Sequence, residues 1–220
     1  MPILYVIALP IGNLEDLSFR ALRILKEVDL ILCEDTRITN KLLSHYEISK
    51  PLISYHQHSK ITKNEYVAEQ IKQGKNLALV SDAGTPCVSD PGSKLIDYLL
   101  KQFSDLKIVP IPGPSALIAG LSVSGFPADK FVFCGFPPVK NKRKKFFEKI
   151  EKTKKTVVFY ESPYRILKTL KELNTKKEIV VCRELTKKFE TIYRGSAKEI
   201  IEKLQKEKIK GEFVVILRGI

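Results

Sequence analysis

Short apolar runs rich in β-branched residues alternate with amphipathic helical segments along nearly the whole chain. In the first half, helical segments separate the runs ILYVIAL, DLILCED, LISY, NLALVSD and KIVPI. Strands joined by helices lie parallel, because a helical crossover returns the chain to the same edge of the sheet. We therefore predict an α/β fold with a mostly parallel sheet in this half.

The second half shows the same alternation with one exception. The strand pattern EIVVCREL is followed after a short connection by FETIYRG. A short connection joins antiparallel neighbours, so we predict a mixed sheet here. A tight turn at residues 112–114 separates the two patterns, and we predict two α/β domains, residues 1–112 and residues 113–220.

Positive charge is concentrated in the predicted second domain. Residues 1–112 carry 13 basic and 13 acidic side chains, whereas residues 113–220 carry 25 and 12. The densest stretch, residues 140–155, attracts polyanions, with nucleic acid first and polycarboxylate substrates or an anionic membrane surface as alternatives. A solvated helix face is an equally good interpretation. Under the nucleic-acid interpretation we predict phosphate contacts by Lys142, Arg143, Lys144 and Lys145.

The four cysteines lie 47 to 54 residues apart, without a C-x-x-C pair or a histidine at metal-ligand spacing, so we expect no metal site. Three of them lie inside apolar runs, which is typical of free cysteines in a reducing cytoplasm. No stretch approaches 18 apolar residues and no basic segment precedes the first run, so we expect neither a signal peptide nor a membrane helix. His56 and His58 are interpreted as loop histidines without a catalytic task.

Two loops have a composition suited to ligand binding. The loop Ser81–Gly92 follows a predicted strand, where ligands of open α/β sheets bind, and its glycines would let a ligand approach the backbone. The PGPSA segment would begin a helix at Ser115, whose free N–H groups could face a ligand. The alternatives are an elaborate turn and a capped domain-joining turn. The PIGNLED loop lacks the G-x-G-x-x-G spacing of a dinucleotide site.

Three clusters of opposite charge follow apolar runs: EDTR at 34–37, FYESPYR at 159–165 and RELTK at 183–187. Such pairs suit a cleft with compensated charges, although single pairs of this kind are usually surface or structural ion pairs. Their repeated occurrence at predicted strand ends favours a functional role.

Eight segments, taken in their order and spacing, resemble one known family. They are LYVIALPIGNLEDLSFRAL, LILCEDTR, LVSDAGTPCVSDPG, VPIPGPSALIAGLSVSG, FCGFPP, FYESPYR, CRELTKKFET and GEFVVIL. Together they are similar to the ribosomal RNA small subunit methyltransferase I family, which are 2'-O-ribose cytidine methyltransferases of the tetrapyrrole methylase superfamily. The match runs from Leu4 to about Leu217, and the combination of SDAGTP, EDTR and YESP-R is far more specific than a single glycine motif.

The resemblance implies two class III methyltransferase-like α/β domains with S-adenosylmethionine bound in the cleft between them. It also implies a homodimer that acts on ribosomal RNA or on the small ribosomal subunit. The residues implied to touch the methyl donor are Ile11, Ala83, Gly84, Val88, Ser115 and Ala116. Many members carry a small extension beyond the position of Ile220, so RNA contacts of that extension are expected to be missing or replaced. Tyr164 stands where members often have histidine, which argues against an obligatory base there.

The implied chemistry narrows the catalytic candidates. Methyl transfer from a sulfonium is an in-line displacement, so holding the oxygen and the methyl group about 3 to 3.5 Å apart supplies much of the rate. A ribose hydroxyl is a poor nucleophile, which calls for a base or for cations that stabilise the developing charge. Glu161 is the first candidate for the base, with Glu184 or Asp35 as alternatives. Arg165 and Arg183 are the candidate cations.

Two other functions stay open at this point. A tetrapyrrole C-methyltransferase of the same superfamily would also suit a basic surface, but those enzymes typically have G-D-P where this chain has Gly84, Thr85 and Pro86. A non-catalytic RNA-binding protein would use the basic stretch alone and would leave SDAGTP and PGPSA unexplained. Binding of S-adenosylmethionine distinguishes this last possibility from the enzymes.

Overall fold

The computed structural model describes residues 2–56 and 61–219, so His58 lies outside the described residues. The chain divides into two compact units, Met1–Ser115 and Ala116–Ile220. Each unit has a five-stranded sheet, parallel in the first and mixed in the second, which confirms the predicted α/β class. That the units are separate domains divided at residue 112 stays a prediction.

The sheet of the first unit is parallel throughout, with the strand order β3-β2-β4-β1-β5. Its strands are β1 (Ile3–Ile7), β2 (Leu30–Cys33), β3 (Leu52–Ser54), β4 (Leu77–Leu79) and β5 (Lys107–Ile111). Every residue of β2 and β4 is buried, which explains their uninterrupted apolar sequences. Because β4, β1 and β5 are neighbours that run in the same direction, the loops that follow them leave from one edge of the sheet.

Helices cover both faces of this sheet. The pair on one face is α1 (Phe19–Glu27) and α2 (Thr36–His45), and the pair on the other is α3 (Ile61–Lys72) and α4 (Ser93–Gln102). Capping side chains determine where α1 and α2 begin. Ser18 accepts a hydrogen bond from the N–H of Ala21 at 3.1 Å, and Asp35 accepts one from the N–H of Arg37 at 2.8 Å.

The sheet of the second unit has the strand order β6-β7-β10-β8-β9. Its strands are β6 (Phe131–Phe133), β7 (Thr156–Glu161), β8 (Ile179–Arg183), β9 (Thr191–Gly195) and β10 (Phe213–Leu217). β6 and β7 are parallel, and the other neighbours are antiparallel. Glu161 at the end of β7 and Arg183 at the end of β8 both pair with Phe213 of β10. The chain therefore leaves β6, β7 and β8 at the same edge of the sheet.

Four helices accompany the mixed sheet. They are α5 (Ala116–Ser124), α6 (Arg143–Lys152), α7 (Ile166–Glu172) and α8 (Ala197–Leu204). The last three share one core, to which they contribute Phe147, Leu170 and Ile200. On α5, a Cβ added to Gly120 would lie 3.2 Å from Cγ1 of Val214, so the glycine allows this helix to pack closely on β10. None of the helices in the described ranges is long and apolar enough to cross a membrane.

Candidate functional site

Three loops of the first unit meet at the edge where β4, β1 and β5 end. The loop after β1 and the loop after β4 are joined by a pair of backbone hydrogen bonds, from Leu9 N–H to Gly84 C=O at 2.9 Å and from Gly84 N–H to Leu9 C=O at 3.0 Å. The hydroxyl of Thr85 donates to the carbonyl of Pro114 at 3.1 Å, which ties in the loop after β5. This is the edge where open α/β sheets bind ligands.

Gly84 lies at the centre of this convergence. Its φ is +75°, a backbone conformation that favours glycine. A Cβ built on it would lie 3.3 Å from Cγ2 of Ile11 and 3.7 Å from the carbonyl oxygen of Pro114. Gly113 allows a similarly close approach, because a Cβ there would lie 3.1 Å from the Cβ of Ala8. The missing side chains let the three loops pack closely against one another.

The structure therefore brings together part of the predicted donor-binding set. Ile11 and Gly84 are buried and lie close to each other and to Pro114, the residue before Ser115. Ala83 and Val88 are exposed on the loop Ser81–Gly92. The other two members, Ser115 and Ala116, are half-buried at the junction between the units, the first ending unit one and the second beginning α5.

The backbone of the loop Ser81–Gly92 is strained. Cys87 and Ser89 have φ values of +70° and +65°, although neither is a glycine. Each such residue costs on the order of 1–3 kcal/mol and persists only where the surroundings impose it, a situation common at ligand sites. Gly92, with φ +132°, closes the loop in a position where a Cβ would lie 2.7 Å from Sγ of Cys87. A side chain at residue 92 would therefore collide with Cys87.

Carboxylates follow β2 and β4, two neighbouring strands of the same sheet. Asp82 accepts a hydrogen bond from the N–H of Asp35 at 2.9 Å. Burial, together with the negative charges of Glu34 and Asp82, raises the pKa of Asp90 to about 6, although a hydrogen bond from Ser81 lowers it. Burial likewise raises the pKa of Glu34. Glu34, Asp82 and Asp90 were not predicted to interact. The signal for their interaction is the strand order, because EDTR and SDAGTP follow adjacent strands.

Asp35, an alternative candidate for the base, has a structural task. Its carboxylate accepts hydrogen bonds from the side chain of Arg37, the shortest at 2.6 Å, and from the Arg37 N–H at the start of α2. These bonds lower the pKa of Asp35 to about 2. A carboxylate that is so weakly basic accepts a proton poorly near neutral pH. The geometry favours helix capping over general-base catalysis for this residue.

Glu161, the first candidate for the base, is fully buried. Its Oε1 accepts a hydrogen bond from the N–H of Ser162 at 2.8 Å and forms an ion pair with Nη2 of Arg165 at 2.8 Å. Its Oε2 accepts a hydrogen bond from the hydroxyl of Thr169 at 2.5 Å. The side chain has 0% exposure, so a hydroxyl in solution has no access to the carboxylate. This arrangement favours a role in holding Arg165 over that of a proton acceptor.

Arg143 joins the same buried network, and this corrects its predicted place on the basic surface. Its guanidinium donates to Glu172 at 2.6 Å, to the hydroxyl of Thr169 at 2.6 Å and to the carbonyl of Pro138 at 2.8 Å. Only 7% of its side chain is exposed. Arg143 begins α6 on the face that packs against the core, so it is not available to a phosphate. Lys142, Lys144 and Lys145 are exposed.

Arg165 is held from three sides and is still partly accessible. Besides its ion pair with Glu161, Nε donates to the hydroxyl of Ser162 at 3.2 Å, and Nη1 donates to the carbonyl of Pro137 at 3.1 Å. Its side chain is 22% exposed. An arginine oriented in this way presents a positive charge in one direction, as a site for a phosphate or a developing anion requires.

The third charge cluster, after β8, is also bonded internally. Oε1 of Glu184 accepts from Nζ of Lys187 at 2.9 Å and from the N–H of Glu212 at 3.0 Å. Burial alone would raise the pKa of Glu184, but these hydrogen bonds and the charges of Lys187 and Arg183 outweigh it and lower the pKa. Arg183 donates to Glu207 at 2.8 Å. Glu184 is therefore a poor base, and Arg183 is already neutralised.

The two groups of candidates lie in different units. The carboxylates and glycines after β2 and β4 belong to the first unit, and the network around Glu161 and Arg165 belongs to the second. Within residues 2–56 and 61–219, no group of three or more His, Cys, Asp or Glu side chains could hold a metal ion.

Comparison with known proteins places these features in a family context. The family model of the Tetrapyrrole (Corrin/Porphyrin) Methylases matches residues 3–201. A Bacillus subtilis protein named Ribosomal RNA small subunit methyltransferase I is 45% identical, over 100% of this chain and 76% of that protein. A Thermotoga maritima protein of the same name is 42% identical over 98% of both chains.

Solved structures show the same fold at low identity. A cobalt precorrin-4 methyltransferase is 17% identical, with a TM-score of 0.71 over 98% of this chain and 94% of that one. A diphthine synthase is 14% identical, with a TM-score of 0.76 over 99% of this chain and 90% of that one. At these identities the likeness concerns the fold alone.

Proposed function

Because the chain belongs to the Tetrapyrrole (Corrin/Porphyrin) Methylases, we propose that it transfers a methyl group from S-adenosylmethionine to small-subunit ribosomal RNA. Two relatives that are 45% and 42% identical to this chain over nearly its whole length are named Ribosomal RNA small subunit methyltransferase I. The protein is a methyltransferase of that group, and its acceptor in this proposal is the 2'-oxygen of a cytidine. A homodimer and a cytoplasmic location are further proposals, carried over from the family.

The observation that carries the donor site is the convergence of three loops on Gly84. S-adenosylmethionine, when bound, supplies an electrophilic methyl group on a sulfonium. The proposed binding residues are Ile11, Ala83, Gly84, Val88, Ser115 and Ala116. Two properties of this edge support the proposal: it lies at the carboxyl ends of parallel strands, and Gly84 and Gly113 let the three loops that follow these strands approach one another closely.

Arg165 is the proposed catalytic cation. A partly exposed guanidinium fixed by Glu161, Ser162 and the carbonyl of Pro137 can hold a ribose oxygen and stabilise the negative charge that develops on it. As this oxygen takes up the methyl group, the hydroxyl proton passes to solvent water. Glu161 positions this group from the protein interior. The lowered pKa values of Asp35 and Glu184 leave both of them weakly basic. Orientation of the ribose and stabilisation of charge therefore carry the proposed mechanism.

Methylation of a defined substrate tests the proposed function. Small ribosomal subunits from cells without this activity are incubated with the protein and with S-adenosylmethionine labelled at the methyl group, and the RNA is digested to nucleosides. We expect the label in 2'-O-methylcytidine. Label in a base-methylated nucleoside would contradict ribose methylation. Transfer to a tetrapyrrole but not to RNA would support the C-methyltransferase, and absence of S-adenosylmethionine binding would support a non-catalytic RNA-binding protein.

Phosphate contacts by the exposed lysines before and within α6 form the RNA-binding part of the proposal. Replacing Lys142, Lys144 and Lys145 with Gln should flatten the plot of log affinity for RNA against log salt concentration by roughly 0.7 to 0.9 per lost contact. Filter binding at four or more salt concentrations measures this slope. The control variant replaces Lys26, Lys72 and Lys94, three exposed lysines of the first unit, and should keep the wild-type slope. Equal slopes in all three proteins would identify this stretch as a solvated helix face.

A further inference from the structure

Two exposed aromatic side chains lie at the edge of the mixed sheet that carries Glu161 and Arg165. Phe136, in the loop after β6, is 53% exposed, and Tyr164, in the turn after β7, is 95% exposed. The bond from Arg165 Nη1 to the carbonyl of Pro137 joins this loop to this turn. Both rings therefore belong to the surroundings of the proposed catalytic cation.

The ring of Phe136 is held in place from behind. It packs on Tyr160, with the ring centres 5.5 Å apart and the planes inclined by 59°. Tyr160 in turn packs edge-on against Phe133 at 5.0 Å, and its hydroxyl accepts a hydrogen bond from the N–H of Leu117 at 3.2 Å. The backbone of Tyr160 also donates to Gly135 at 2.9 Å. Because this packing already restricts the ring, a partner that stacks on its exposed side loses less of the interaction energy to ordering it.

Positive charge continues directly from this aromatic surface. The same loop leads through Val139, which is 65% exposed, to the exposed side chains of Lys140, Lys142 and Lys144. Glu161 is buried and paired with Arg165, and Glu172 is bonded to Arg143, so the carboxylates of β7 and α7 are already paired. The exposed rings suit a base whose π-face is open, and the neighbouring lysines suit its phosphate. Together they match a nucleotide of single-stranded RNA.

We propose that Phe136 and Tyr164 form a stacking platform for unpaired bases of the RNA next to the nucleotide that Arg165 holds. This inference rests on the proposed function and adds to it the kind of RNA that the site accepts. In duplex RNA the base faces are covered by their neighbours, whereas single-stranded segments expose them to aromatic side chains. The enzyme therefore selects its target within a single-stranded segment, and the platform keeps the flanking bases out of a helix.

Substitution of Phe136 separates stacking from packing. Phe136→Leu keeps an apolar side chain against Tyr160 and removes the π-face, and Phe136→Trp restores it. The probes are a 12-nucleotide oligocytidylate and a 12-base-pair RNA duplex, measured by fluorescence anisotropy at one salt concentration. Phe136→Leu and Tyr164→Ala should each weaken binding of the oligocytidylate about 5- to 150-fold, the range that stacking of one base supplies. Duplex binding should change less than about twofold.

A matched control is available in the first unit. Phe19 is 93% exposed at the start of α1, so Phe19→Leu removes an equally exposed ring far from the basic stretch in sequence, and should change neither affinity. The platform is overturned if Phe136→Leu and Tyr164→Ala bind the oligocytidylate as tightly as wild type does. It is also overturned if they lose affinity for the single strand and for the duplex equally. If the two variants lose affinity for the oligocytidylate alone, while the wild-type protein does not methylate ribosomal subunits, the proposed function is refuted and the platform stands.

Discussion

Gly84→Val is expected to reduce the affinity for S-adenosylmethionine by about 100-fold or more, because it fills the point where three loops meet. The first added carbon would already lie 3.3 Å from Cγ2 of Ile11 and 3.7 Å from the carbonyl oxygen of Pro114, so the two methyl groups of valine would push the three loops apart. Isothermal titration calorimetry of the purified variant against wild type measures the loss. Methyl transfer should fall with the occupancy of the donor site.

Backbone strain has to be separated from this effect, since φ at Gly84 is +75° and valine adopts such a conformation only at a cost. Gly74 provides the matched control. Its φ is +82°, and a Cβ built on it meets nothing within 4 Å. Gly74→Val should therefore destabilise the fold by a similar amount, about 1–3 kcal/mol, and bind S-adenosylmethionine as wild type does. If Gly84→Val and Gly74→Val bind equally well, the donor site lies elsewhere.

Glu161→Gln is expected to lower the rate of methyl transfer about 100-fold by releasing Arg165, and to lower the free energy of unfolding by about 3–5 kcal/mol. The carboxylate is the buried partner of Arg165 and lies 4.0 Å from Arg143, so its removal leaves buried positive charge with less compensation. Single-turnover methylation at saturating RNA and donor measures the rate, and urea denaturation measures the stability. Arg165→Ala should be at least as impaired, and the double variant should be no slower than Arg165→Ala.

The shape of the pH–rate profile distinguishes positioning from proton transfer. If Glu161 holds Arg165, the profile of Glu161→Gln should keep its wild-type shape at a lower rate. If the loss of rate at low pH disappears in Glu161→Gln, the carboxylate is the base and the positioning role is wrong. Glu172→Gln is the control, because it removes an ion pair of Arg143 but no bond to Arg165. Thr169→Val, which removes one hydrogen bond to Glu161 but no charge, supplies a milder variant if Glu161→Gln unfolds.

The fold class and the location of the ligand-binding edge could be predicted from the sequence. Fully buried parallel strands such as β2 and β4 must be apolar along their length, and the helices between them must be amphipathic, so the pattern of the chain carries the architecture. The short connection between β8 and β9 likewise indicated the antiparallel pair. Gly84 stood out because glycine and proline cluster where a strand ends and a turn needs positive φ.

The roles of the charged residues needed the tertiary structure. Lys142, Arg143 and Lys144 are neighbours in one basic run, yet only Arg143 is buried, because it lies on the core-facing side of α6 and finds Glu172 and Thr169 on α7. The partners of a charged side chain lie far away along the chain, and its ionisation depends on burial and on those partners.

The same reason explains why the surroundings of the carboxylates could not be predicted. Glu161 looked available because it follows a strand, but packing of α7 encloses it. Glu34 and Asp90 are distant in sequence, but the neighbouring positions of β2 and β4 let their charges interact. Local sequence determined where strands, helices and glycine turns form, since each depends on nearby residues. Which charges are buried, paired or free was decided only when the sheets assembled, since this depends on groups that folding alone brings together.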